Sequence, residues 1–189
     1  MSTFAHQRHT ISRDHSVLLT IDIQGRLAPA IHAADDLIAA ADKLLQVAAE
    51  LQVPRVFTEQ YPQGIGTTVA ALQTHLAQAT LFEKIHFSAC RESDFSSHIA
   101  DSGRQQLVVM GTEAHVCVLQ TVLDLLAADY QVFVVAEAVG SRHPANRELA
   151  LQRMAALGAH IVSVEMVIFE WLEQAGTDTF RHISKTYIR

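Results

Sequence analysis

The sequence predicts an α/β protein in three layers, with helices on both faces of a mostly parallel, roughly six-stranded sheet. Three observations predict it. Short apolar runs alternate with amphipathic helical segments from Ser16 onward. Several runs, such as Leu107-Val108-Val109-Met110 and Val132-Phe133-Val134-Val135-Ala136, are apolar on both faces, as strands covered on both sides must be. The length, 189 residues, suits one domain, and a chain of that size buries roughly 70% of its unfolded surface without disulfide staples. Together these describe a Rossmann-like α/β/α sheet.

The elements follow in order. Residues 1–15 are polar and are expected to form a tail, with 16–189 a single domain. Val17-Leu18-Leu19-Thr20-Ile21 reads as a buried strand ending at Asp22. A loop follows to residue 36, where Asp35 or Asp36 is a candidate cap. Leu37, Ile38, Ala41, Leu44, Leu45, Ala48 and Leu51 recur at helical spacing. Val53 to Thr58 reads as a second strand, with Pro54 near its start, where proline is tolerated. Residues 59–68, with Pro62, Gly64 and Gly66, form a loop over the site, and Val69 to Leu76 has helical spacing. Leu81 to Ser88 is a strand or an extended loop, and Asp94 to Ala100 a short helix. The Leu107–Met110 strand is followed at once by a helix over Ala114–Ala128. The 132–136 strand, a helix over 145–157 closed by Gly158, the strand Ile161–Val164 and a helix over Glu165–Leu172 complete the pattern.

Charge and composition exclude several functions. Lys and Arg total 14 against 20 acids, for a net charge of −6. No dense basic cluster exists, so no nucleic-acid partner is expected. No apolar run approaches the ~20 residues a membrane helix needs, and the N-terminus has no signal-like apolar core. The two cysteines, Cys90 and Cys117, make no disulfide framework and suit a reducing cytoplasm. His6, His9 and His15 lack the spacing of ordinary zinc ligands, so neither metal nor other cofactor is expected.

In an open parallel sheet, ligands bind beyond the carboxyl ends of the strands at the point where strand order reverses. Asp22 ends the first strand, and Cys117 opens the helix after the 107–110 strand. A thiol in a first helical turn feels the positive end of the helix dipole, which is expected to lower its pKa. Unpaired N–H groups of that turn suit a developing oxyanion. Each residue also has an ordinary reading: a buried cysteine is usually core, a strand-end aspartate often caps a turn, and a lysine usually sits on the surface.

Together the residues resemble a known family. Thr20-Ile21-Asp22-Ile23-Gln24 is similar to the first-strand aspartate motif of isochorismatase-like hydrolases. Phe82-Glu83-Lys84-Ile85-His86-Phe87-Ser88-Ala89 resembles their lysine segment. Gly111-Thr112-Glu113-Ala114-His115-Val116-Cys117-Val118, followed by Thr121, resembles their nucleophile motif. Order and spacing agree from about Ser16 to Leu172, and Thr58-Glu59-Gln60-Tyr61-Pro62-Gln63-Gly64 is similar to the isochorismatase-domain-containing subgroup.

The resemblance implies that Cys117 attacks a carbonyl carbon, Asp22 is general base then acid, and Lys84 orients Asp22. It implies a cis peptide between Thr112 and Glu113, with the backbone N–H groups of Glu113 and Cys117 as oxyanion donors. The aspartate–histidine metal cluster of nicotinamidases has no counterpart in Thr58–Pro62, and the cysteine favours C–N hydrolysis over vinyl-ether cleavage. The expected function is hydrolysis of a small amide-like substrate through a thioacyl intermediate. The alternatives are a non-catalytic binding or assembly protein of the same fold and a redox-sensing thiol protein. The resemblance also implies a homo-oligomer. Gln24, Phe57, Tyr61, Phe87 and His115 are candidate substrate-lining residues, with ordinary core packing the competing reading for the aromatics. His115 serves equally as a helix cap, and Cys90 reads as an incidental thiol.

Overall fold

The protein is described by a computed structural model over residues 10–188. Six parallel strands form one sheet in the order β3-β2-β1-β4-β5-β6. They are β1 Ser16–Ile21, β2 Arg55–Gln60, β3 Thr80–Lys84, β4 Gln106–Thr112, β5 Gln131–Gly140 and β6 His160–Val162. The order reverses between β1 and β4, which pair from Ser16↔Gln106 to Ile21↔Gly111. The helices are α1 Ala34–Glu50, α2 Pro62–Ile65, α3 Ser93–Asp101, α4 Leu119–Ala127, α5 Pro144–Ala156, α6 Val164–Leu172 and α7 Asp178–Ile183.

Period-two alternation divides the strands between two cores. Leu18, Phe57, Val108, Met110, Phe133 and Val135 pack with Leu37, Leu44, Leu45, Val167, Ile168 and Trp171 of α1 and α6. Val17, Leu19, Ile21, Val56, Val109, Val132 and Val134 pack with Phe95, Ile99, Val122, Leu125 and Met154 of α3, α4 and α5. The three-layer expectation therefore holds, and these continuous apolar runs are its cause.

Several boundaries differ from the sequence reading. Ile11 is buried in the first core, its N–H bonded to Glu170 Oε2 at 2.6 Å, so the expected tail is already packed there; His6 and His9 lie outside the described residues. Neither Asp35 nor Asp36 caps α1: its N-cap is Ala33, in the left-handed region at φ 53°, and both aspartates lie in the first turn, where they favour the helix dipole. The segment over 69–76 is a 3-10 stretch, Ala70–Gln78, anchored by one buried side chain, Leu72. β5 runs on to Gly140 through a register irregularity opposite Val109–Gly111. α7 and the π turn Ser184–Ile188 that follows it were not anticipated.

Candidate active site

The switch point is built by two turns. Asp22 follows β1 in the left-handed region at φ 54°, and Glu113 follows β4 at φ 55°. Non-glycine residues rarely sit there, and such positions cluster at functional sites. Between the strands, Gly111 adopts φ 151°, and a Cβ on it would stand 2.2 Å from the Ile21 carbonyl oxygen. Glycine alone permits that approach.

The Asp22 carboxylate is fully enclosed. Thr58 Oγ1 donates to its Oδ1 at 2.7 Å, and Lys84 Nζ lies 2.7 Å from its Oδ2. The second contact is an ion pair rather than an aligned hydrogen bond, because Oδ2 has no bond of good angular geometry. Lys84 is equally buried and donates to Gln60 Oε1 at 2.6 Å, with the carbonyl oxygens of Phe87 and His86 at 3.1 and 3.3 Å. A buried ammonium needs such a cage to remain charged.

Cys117 is 4% exposed, with Sγ 4.0 Å from Gln60 Oε1, the outer limit for a thiol hydrogen bond. It feels both charges of the pair. Burial, and after it the Asp22 carboxylate, push the thiol up to about 12, while Lys84 draws it down. The expectation of a lowered thiol pKa is thus overturned. Cys117 lies in a π turn, Ala114–Val118, that runs directly into α4 at Leu119, so burial and the carboxylate outweigh whatever the helix start contributes. Thr121 Oγ1 donates to the Cys117 carbonyl at 2.7 Å and accepts from Ala89 N–H at 3.0 Å, fixing that turn on the loop after β3.

The structure thus brings Asp22, Lys84 and Cys117 into one buried neighbourhood, and it adds Thr58 and Gln60, which the sequence reading passed over. Both lie in β2 at the same parity, facing the β1 end. Of the other candidates, Phe57 separates from the site: of opposite parity, it is buried in the α1 core, so it lines no substrate space. Gln24 is buried, its carboxamide clamping the Gln60 backbone: Oε1 accepts from Gln60 N–H at 2.8 Å and Nε2 donates to Gln60 O at 3.0 Å. Tyr61 and Phe87 expose 52% and 53% of their surface beside Gln60 and Lys84. The Tyr61 ring lies over Gly64, where a Cβ would stand 2.4 Å from it. His115 Nδ1 pairs with Ser141 Oγ at 2.9 Å. Glu113 is held by Arg142 through Nε and Nη2 at 3.1 and 3.2 Å.

No cis peptide occurs among the described residues, so the Thr112–Glu113 bond departs from expectation. The left-handed Glu113 and the extreme φ of Gly111 turn the chain there instead. Two cavities, about 870 Å³ beside Ile11, Met166 and Phe169 and about 480 Å³ beside Cys90, Phe95 and Leu125, lie away from this constellation.

The molecule is by class a three-layer α/β protein with an acid, an ammonium and a thiol gathered at its switch point. The isochorismatase domain model matches residues 16–166. Isochorismatase family protein 1A of Dictyostelium discoideum is 33% identical over 178 residues, covering 92% of this chain and 86% of that protein. The secreted isochorismatase effector Isc1 of Phytophthora sojae is 37% identical over 175 residues, covering 90% and 83%. Among solved structures, the MAR1 ribonuclease of Caenorhabditis elegans is similar with a TM-score of 0.88 at 33% identity, covering 93% of this chain and 91% of that one. The chain belongs to the isochorismatase family of hydrolases. No helix of the described residues is long and apolar enough to cross a membrane.

Proposed function

We propose that the protein is a cysteine hydrolase that cleaves the C–N bond of a small amide-like compound. The observation that carries this reading is the contact of Asp22 with Lys84 at 2.7 Å beside the Cys117 thiol, all three side chains out of solvent. A structural role does not need a buried acid, base partner and thiol in one place; nucleophilic catalysis does.

The thiol rests protonated, so the reaction starts with proton transfer. Asp22 takes the Cys117 proton as sulfur bonds to the acyl carbon. The oxyanion is received by the backbone N–H groups of Glu113 and Cys117. The C–N bond breaks, Asp22 returns the proton to the departing nitrogen, and a thioester remains on Cys117. Water, deprotonated by Asp22, then releases the acid and restores the thiol. Lys84 holds Asp22 throughout and offsets the charge that passes to sulfur.

The 4% exposure of Cys117 suits a small reacting group. The net charge of −6 disfavours a polyanionic substrate such as RNA. Free thiols at Cys90 and Cys117 suit a reducing compartment such as the cytoplasm. The test is a panel of small primary amides and ureido acids assayed for ammonia release. Release by the wild type and none by a folded Cys117→Ala variant supports the proposal; equal release by both contradicts it.

A further inference from the structure

The Gln60 carboxamide touches both the Lys84 ammonium and the Cys117 sulfur, and its orientation is fixed by its partners. Nε2 donates to the Ile85 carbonyl at 2.7 Å, so that end must be the NH₂. Oε1 accepts from the Lys84 ammonium at 2.6 Å, so that end must be the oxygen. Flipping the amide would set a donor against an ammonium and an acceptor against a carbonyl. The backbone beneath it has no freedom either, because Gln24 bonds both the N–H and the C=O of Gln60.

An amide oxygen has two acceptor positions. Lys84 occupies one. The other faces the Cys117 sulfur 4.0 Å away, where only a weak S–H donor is available. Once that proton has passed to Asp22, the acceptor has lost its donor and looks onto the atoms bonded to sulfur. A primary amide carries the donor that fills this position. An ester or a carboxylate presents an oxygen lone pair there instead, which Oε1 repels.

We propose that Gln60 is the specificity-determining residue of the site: its Oε1 accepts an N–H of the scissile amide and so selects primary amides over esters of the same acyl group. The inference rests on the hydrolase reading for its reaction but on geometry alone for the acceptor. The bond would also orient the leaving nitrogen, presenting its lone pair to the proton on Asp22.

The test uses acrylamide and methyl acrylate, a matched pair that adds to a thiol without any hydrolysis. In each case a C–S bond forms, the C=C bond is consumed and the thiol proton ends on the α-carbon. Adduct formation at Cys117 is followed by peptide mass analysis, which also separates it from Cys90. Each rate is divided by that of the same reagent with glutathione. The proposal expects the wild type to favour acrylamide and Gln60→Met to lose that preference about tenfold or more. Circular dichroism confirms that the variant is folded. A wild-type ratio near one, or the same ratio in wild type and folded Gln60→Met, would overturn the proposal. An amide preference without ammonia release from any amide would instead overturn the hydrolase reading and leave the acceptor standing.

Discussion

The Thr112 hydroxyl donates to the main-chain carbonyl oxygen of Asp22 at 2.5 Å, tying the turn that carries the acid to the turn that leads to the thiol. Thr112 is 1% exposed, so no water replaces this bond readily. Thr112→Val keeps the shape and leaves a buried carbonyl without its donor, at about 1–3 kcal/mol. Urea denaturation should register that loss, and Thr112→Ser should recover most of it. Alkylation of Cys117 should change in Thr112→Val and not in Thr112→Ser.

Lys84→Met should be among the most destabilising single changes in the protein. It leaves the Asp22 carboxylate buried with Thr58 as its remaining side-chain partner, and breaking a buried pair costs about 3–5 kcal/mol. Equilibrium unfolding of Lys84→Met beside Lys84→Met/Asp22→Asn checks this. The double variant should be the more stable of the two, because no buried charge is stranded.

The thiols give a pH signature. Burial raises both Cys117 and Cys90 to about 12, above the ordinary thiol value, so the folded state holds protons that the unfolded chain releases first. Their contribution to stability is complete below the unfolded thiol pKa of ~8.5 and is lost as pH rises toward 12. Unfolding free energy should fall across that window, and Cys117→Ala should flatten the fall. Likewise, Cys117 should react slowly with iodoacetamide at pH 7 and much faster above pH 10.

Glu92 braces the loop beside Lys84. Its Oε1 accepts from the N–H groups of Ile85 at 2.9 Å and His86 at 3.1 Å, and from the His86 ring at 2.9 Å. These bonds, led by the Ile85 N–H, hold its carboxyl near 2, below the ordinary ~4.3. The brace is therefore intact above the ordinary carboxylate pKa and is lost as pH falls toward 2. Glu92→Ala should speed hydrogen exchange at the Ile85 and His86 amides while leaving β1 and β4 protected.

The fold was legible because its strands are buried on both faces, so apolar runs such as 107–110 and 132–136 mark the sheet without any knowledge of neighbours. Asp22, Lys84 and Cys117 were legible through their motifs. Phe57 was misplaced by strand parity: in β2, whichever face holds Thr58 and Gln60 cannot hold Phe57. Thr58 and Gln60 were open to the same argument once that face was chosen, but choosing it requires knowing that β2 lies beside β1. The thiol pKa was misjudged because the dipole of a helix start was weighed without the burial and the carboxylate that tertiary packing supplies. The π turn at 114–118 has no periodic signal at all, and Ile11 packs through a single apolar residue in a polar stretch.

The most direct measurement of the central claim is mass analysis of acid-quenched protein during turnover of an amide that releases ammonia. Nucleophilic attack by Cys117 should leave an acyl adduct on the peptide containing it, absent from Cys117→Ala and much reduced in Asp22→Asn. Steady ammonia release with no adduct on Cys117, and undiminished in Cys117→Ala, would contradict it.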